Sequence, residues 1–175
     1  MDYDMDQATE VLERTPAVLT AMLGGLSNPW ITNNYGADTF SPFDVVGHLI
    51  HGERTDWIPR ARIILERGEA KPFEPFDRYA MYRDSAGKTI DELLETFVAL
   101  REENVAALRA MNLTPARLDL RGKHPQLGPV TMRQLLATWV VHDLNHIHQI
   151  AKCMAYQYRE EVGPWRGHVG VLKDT

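Results

Sequence analysis

His142 and His146 lie four residues apart in the run from Trp139 to Ile150. An i, i+4 pair occupies one face of a helix, one turn apart. Two imidazoles so placed can grip one divalent metal ion, as in helical metalloprotease motifs. The stripe that contains them reads Leu135, Trp139, His142, His146, Gln149 and Cys153. Its first members are apolar, so both histidines point toward the expected core. A buried neutral histidine must hydrogen-bond or bear a desolvation cost. One shared metal explains such a pair better than two independent burials; a structural polar cluster is the alternative.

A metal needs a third protein ligand, and an earlier helix offers His48 and His51. His48 is favoured. Val45 and Leu49 flank it on the apolar side, and Gly47 and Gly52 permit close helix approach. His51 is a substitute or a supporting group. Three neutral imidazoles with open positions describe a catalytic metal site rather than a closed structural one, suited to Zn²⁺, Ni²⁺ or Fe²⁺. The open positions take water or a thiolate, and the metal lowers the pKa of either. Asp143 and Gln149 are weak catalytic candidates. Asp143 orients a ligand or substrate, or is merely an interhelical or solvated carboxylate. Gln149 reaches substrate, or is a core-edge amide. His148 points elsewhere on the helix and reads as a surface residue. His124 and His168 fall in loops. Cys153, the one cysteine, reads as a core residue. The stretch from Glu53 to Arg62 reads as ion pairs on a helix surface, with an arginine at the pocket rim as the alternative.

These side chains need long helices to carry them. A first helix is expected from Met5 to Leu26, with Pro16 kinking it or starting a new turn behind Thr15. Ser27 to Phe40 reads as a loop. A second helix opens at Ser41-Pro42, runs toward Arg67 and kinks at Pro59. Lys71 to Tyr79 reads as an extended connection. A third helix starts at the capping box Thr89–Glu92 and reaches about Asn112, with Leu93, Leu94, Phe97, Leu100, Val105 and Leu108 as its buried stripe. Leu118 to Val130 is a loop or a short β-hairpin. A fourth helix starts at the capping box Thr131–Gln134 and meets no glycine or proline before Val162, a length of up to ~45 Å. The fold class is therefore all-α, an antiparallel four-helix bundle with an irregular or hairpin segment before the last helix.

Composition narrows the function. The chain has 175 residues, 44% hydrophobic and 25% charged, which suits a single soluble domain over 1–175. The net charge is −5 with no basic block, so nucleic acid is not an expected partner. No apolar stretch is long enough to span a bilayer, and the acidic N-terminus lacks the features of a signal peptide. With a single cysteine, a reducing cytoplasm is the expected location.

The segment from Ser41 to Leu49 with His48, and the downstream order His142-Asp-x-x-His146-x-x-Gln149-Ile150, resemble the DinB-like (DinB/YfiT) superfamily of metalloenzymes. The resemblance takes in Gly128–Thr131 and the close Val162–Trp165, and so most of the chain. It implies a four-helix bundle with metal ligands at His48, His142 and His146, and a homodimer. It also implies an enzyme that activates a low-molecular-weight thiol, such as bacillithiol or mycothiol, for S-transfer or isomerisation of a small-molecule substrate. The alternatives are a hydrolase using metal-bound water, with Asp143 as its base, and a non-enzymatic metal-binding stress or interaction protein.

Overall fold

Three of the long helices begin where the sequence writes a capping box, a reciprocal pair of hydrogen bonds that satisfies two orphan backbone donors. At Ser41 the backbone N–H donates to Asp44 Oδ2 at 2.9 Å while Ser41 Oγ accepts from Asp44 N. Thr89 pairs with Glu92 and Thr131 with Gln134 in the same way. The structure is a computed structural model that describes residues 2–173. Met1, Asp174 and Thr175, the ends of the expected domain, lie outside the described residues.

The elements are α1 (Met5–Leu23), α2 (Asn28–Thr32), α3 (Pro42–Thr55), α4 (Trp57–Arg67), α5 (Ala80–Asp84), α6 (Ile90–Ala110), α7 (Pro115–Leu118), β1 (Arg121–His124), β2 (Gly128–Thr131) and α8 (Met132–Tyr156). Helices α1, α3–α4, α6 and α8 form a four-helix bundle. Two apolar clusters divide its length. One gathers Leu19, Leu23, Val45, Leu49, Leu93, Phe97 and Ile150. The other gathers Leu12, Trp57, Ile64, Val105, Leu108, Leu136 and Trp139. Their membership gives the directions: α1 and α8 run one way, α3–α4 and α6 the other. Parallel α3 and α6 cannot be joined by a tight turn, so residues 68–89 form a crossover along the bundle. Among the described residues no helix is long and apolar enough to cross a membrane.

Proline chemistry accounts for two departures from the expected helices. Pro16 lies inside an unbroken α1, with Thr15 buried rather than capping. It has no N–H to give the Leu12 carbonyl four residues back. Arg101 Nη1 donates to that oxygen instead, at 2.9 Å. The expected second helix is two helices, α3 and α4, which part at Asp56 rather than kink at Pro59. A proline ring clashes with the carbonyl of residue i−4, here Thr55, so the break falls before Pro59. Pro59 then sits in the first turn of α4, where no N–H is required.

Other expectations are refined. α2, α5 and α7 are short helices within stretches read as loop or left unassigned. Residues 118–131 do contain a hairpin, with Arg121 opposite Thr131. Phe73 N–H donates to the Lys123 carbonyl at 2.9 Å, which ties the 71–79 connection to the hairpin. A Cβ on Gly122 would lie 2.7 Å from the Phe73 ring, so glycine there is a packing requirement. α8 ends at Tyr156 and spans ~37 Å. Beyond it, i→i+3 bonds such as Tyr158 N–H to the Ala155 carbonyl replace the helical ladder. Tyr158 packs edge-on against Trp30, with centroids 5.0 Å apart.

The bundle interior also holds charge. Glu53, read as a surface residue, is 2% exposed. Its Oε1 accepts from Arg101 Nη2 at 2.8 Å and from Trp139 Nε1 at 3.1 Å, and its Oε2 accepts from Asn104 Nδ2 at 2.9 Å. Arg101, 1% exposed, also donates through both terminal nitrogens to Asp143. Removing one partner of such a network strands the others in low dielectric. Arg101→Ala leaves two buried carboxylates without their compensating charge and the Leu12 carbonyl without its donor, and is expected to lower stability by roughly 3–5 kcal/mol. Urea unfolding followed by circular dichroism measures it; a loss below about 1 kcal/mol would show that the network does not hold the bundle.

Candidate metal centre

The α3–α8 contact is antiparallel and brings the histidines face to face. His48 is buried on α3 beside Gly47, whose absent Cβ is what lets α5 approach: a Cβ there would lie 2.5 Å from Ser85 Oγ and 2.9 Å from Met81 Cβ. His142 and His146 extend from successive turns of α8. His142 Nε2 lies 3.3 Å from His48 Nε2 and 3.1 Å from His146 Nε2. One ring nitrogen from each of the three falls within 4.8 Å of the others. Aromatic side chains wall the cluster. Phe40 and Phe76 stand 5.7 Å and 5.2 Å from the His48 ring, and Trp57 meets His142 edge-on at 5.1 Å.

Hydrogen bonding selects a tautomer for one ring. His146 Nδ1 lies 2.8 Å from Gln149 Oε1, an acceptor, so Nδ1 carries the proton and the Nε2 lone pair faces the cluster. That is how metal-binding histidines are usually oriented. The Nδ1 atoms of His48 and His142 are buried without partners.

Burial controls the charge. Desolvation, followed by repulsion from His146, pushes His48 down to about 3 and His142 to about 2. His146 is also lowered by burial, opposed by its bond to Gln149 and by Asp143. All three are therefore neutral at physiological pH, the state a metal ligand requires. A nitrogen-only set of three suits Zn²⁺, Ni²⁺ or Fe²⁺ and leaves positions free.

The cluster opens into a cavity of about 470 Å³, bounded by Tyr35, Phe40 and Phe76, by Arg78, by Asp56 and Arg60 at the α3–α4 break, and by His124 on β1. A larger groove of about 740 Å³ runs between α1 and α6 past Pro16 and Val105 but holds no histidine, so the chemistry belongs to the smaller space. Arg60 Nη2 stands 2.7 Å from Asp56 Oδ1. Their orientation falls outside hydrogen-bond geometry, and Asp56 Oδ1 and Arg60 Nε are buried without hydrogen-bond partners. Burial raises the Asp56 carboxyl to about 6 against the opposing pull of Arg60. Burial lowers Arg60, opposed by Asp56.

The structure sorts the sequence candidates. His48, His142 and His146 come together. His51 turns to Asp84, 3.9 Å away, and His148 is exposed. Asp143 is 0% exposed, bound to Arg101, and does not line the cavity, so it cannot serve as a base there. Gln149 lines the cavity and orients His146. His124 reaches the cavity from a strand rather than a loop; His168 is exposed in a 3₁₀ turn. Cys153 is buried, its Sγ 3.1 Å from the Asn33 carbonyl. Sequence reasoning missed Arg101, Asn104, Asp56 and Arg60. A signal existed for the first two, since both fall on the Phe97 stripe at i+4 and i+7. For Arg60 the only pointer was the alternative of a rim arginine in the stretch from Glu53 to Arg62, and for Asp56 there was none before the helix break was known.

The DinB superfamily pattern matches residues 11–150. Among solved structures the chain is similar to YfiT from Bacillus subtilis, described as a probable metal-dependent hydrolase with an unusual four-helix bundle topology. The identity is 22% and the TM-score 0.75, over 91% of this chain and 94% of that one. It is also similar to TT2238, a four-helix bundle protein, at 19% identity and a TM-score of 0.51, over 82% of this chain and 95% of that one. At these identities the likeness is one of fold. Among curated proteins none matches.

The depressed histidines set a pH dependence. In the unfolded chain an imidazole takes its proton below about 6.5. In the fold His48 and His142 stay neutral down to about 3 and about 2. Between those limits the unfolded chain holds more protons, so stability rises with pH across the window and is lost as pH falls through it. Metal-free protein should show a lower urea midpoint at about pH 5 than at about pH 7, with a smaller drop in His142→Gln. Equal drops in the two proteins would remove His142 as a contributor.

Proposed function

Because the chain belongs to the DinB superfamily, we propose that it is a divalent-metal-dependent enzyme that activates a small thiol for S-transfer or isomerisation. The observation that carries this reading is the convergence of three neutral imidazoles, two buried and His142 half-buried, at one end of an open cavity. His48, His142 and His146 would hold the ion. When bound, it supplies Lewis acidity that lowers the pKa of a coordinated thiol or water. Gln149 keeps the His146 lone pair on the cluster. Phe40, Phe76 and Trp57 restrict water around the rings. The cavity volume suits a small organic substrate rather than a polymer.

Hydrolysis, with water as the nucleophile, is the second reading. The fold likeness to YfiT favours it, and Asp56 offers the cavity carboxylate that Asp143 does not.

The test begins with the metal content of protein purified without a histidine tag. About one equivalent is expected per chain. His48→Ala, His142→Ala and His146→Ala should each weaken binding by more than the roughly 10–100-fold that losing an outer hydrogen-bond partner costs, Gln149→Ala by about that amount, and His148→Ala not at all. No metal in the wild type, even after added Zn²⁺ or Ni²⁺, would sink the enzyme reading and favour an interaction protein. With metal present, incubation with a thiol and monochlorobimane separates the chemistries. A conjugation rate equal to that of the metal-free control would reject S-transfer for that thiol.

A further inference from the structure

Asp56 occupies a position whose ordinary structural task it does not perform. It is the N-cap residue of α4, where an aspartate normally accepts a hydrogen bond from the first backbone N–H groups. Here its backbone is in the right-handed helical region and its side chain makes no capping bond. The carboxylate instead enters the wall of the cavity that holds the three histidines.

Its two oxygens are placed differently. Oδ1 is buried toward Arg60 Nη2, 2.7 Å away. Oδ2 makes no hydrogen bond among the described residues and is not among the enclosed atoms left without a partner, so it is the oxygen that solvent reaches, in a residue that lines the cavity. Arg60 is itself held. It is 7% exposed, its guanidinium lies 5.3 Å over the Phe73 ring, and Nη2 reaches the Glu74 carbonyl at 3.4 Å. The pair is thus a carboxylate with one oxygen in an ion pair with a held guanidinium and the other reached by solvent. Asp38, the other carboxylate in the wall, is solvent-exposed on the loop before α3.

We propose that Asp56 is the proton acceptor of this site, taking the proton of the thiol or water that serves as nucleophile while Arg60 holds it in place. The inference rests on the metal-centre reading given above. In the step, the S–H or O–H bond breaks, its electron pair stays on sulfur or oxygen, and a new O–H bond forms at Asp56 Oδ2. No oxidant or reductant is involved. The charged and titratable groups sharing the cavity are Arg60 from the same helix, Tyr35 and Asp38 from the segment before α3, Arg78 from the crossover, His124 from the hairpin, and His48, His142 and His146 across the space. With the histidines neutral, the arginines are the fixed positive charges near it. A carboxyl raised to about 6 is ionised at neutral pH yet basic enough to accept a proton, as suits a general base.

Two measurements test the proposal. In metal-free protein, a carbon-detected NMR titration of the carboxyl groups should show one resonance with a midpoint well above ordinary carboxylates, absent in Asp56→Asn. A midpoint at the ordinary value would overturn the proposal. In cobalt-loaded protein, stopped-flow mixing with 2-mercaptoethanol follows the thiolate-to-cobalt absorption band. Asp56→Asn should keep about one equivalent of cobalt and form the band more slowly by roughly 100-fold, the scale of general-base assistance. Added acetate should restore part of that rate, which a merely structural loss would not permit. Cobalt uptake with equal rates in both proteins, for the thiol and for hydrolysis of an activated ester alike, overturns the inference alone. A wild type that takes up no cobalt overturns the metal-centre reading and the inference with it. If the thiol rates are equal but Asp56→Asn slows hydrolysis of an activated ester by a similar factor, water is the nucleophile it serves.

Discussion

The Arg101 guanidinium holds the four long helices in one register. From α6 it donates to the Leu12 carbonyl of α1, to Glu53 of α3 and to Asp143 of α8. Each acceptor would be costly to bury alone. The Leu12 carbonyl is free only because Pro16 has no N–H to offer it. Glu53 also binds Trp139 and Asn104, so both of its oxygens are used. Apolar packing tolerates sliding between helices more readily than a set of directional, charge-assisted bonds does. Hydrophobic burial supplies most of the driving force for this bundle; the network decides which of its arrangements is the native one.

That register places the site. Glu53 and His48 share α3, and Asp143 lies between His142 and His146 on α8. Locking Glu53 and Asp143 to one arginine sets the two helices so that His48 meets the histidine pair. Trp139 links the levels, stacked on Trp57 with ring centroids 5.6 Å apart while its indole N–H reaches Glu53. Trp57 in turn closes over His142. The histidine cluster and the charge network are neighbouring layers of one interior, one neutral, the other charged and saturated.

The stresses of the fold collect around the cavity. Two histidine Nδ1 atoms, Asp56 Oδ1 and Arg60 Nε are the buried polar side-chain atoms left without hydrogen-bond partners among the described residues, and all belong to cavity-lining residues. Elsewhere even awkward features are compensated, as Pro16 is by Arg101. Local rules broken at one place and obeyed around it mark a functional site.

The sequence by itself determined the helices, their capping boxes and the facing of His142 and His146, because helical periodicity and end chemistry act within a few residues of one another. It also favoured His48 over His51 by its neighbours, and carried a family resemblance that implied the same three ligands. It did not show that Glu53 and Asp143 are buried partners of Arg101, that α3 parts from α4 at Asp56, or that Asp56 lines the cavity while Asp143 does not. A charged side chain on an amphipathic helix reads as surface unless its partner is known, and here the partners lie 42 and 48 residues away in sequence. Those pairings are made by helix packing, so only the tertiary structure decided them.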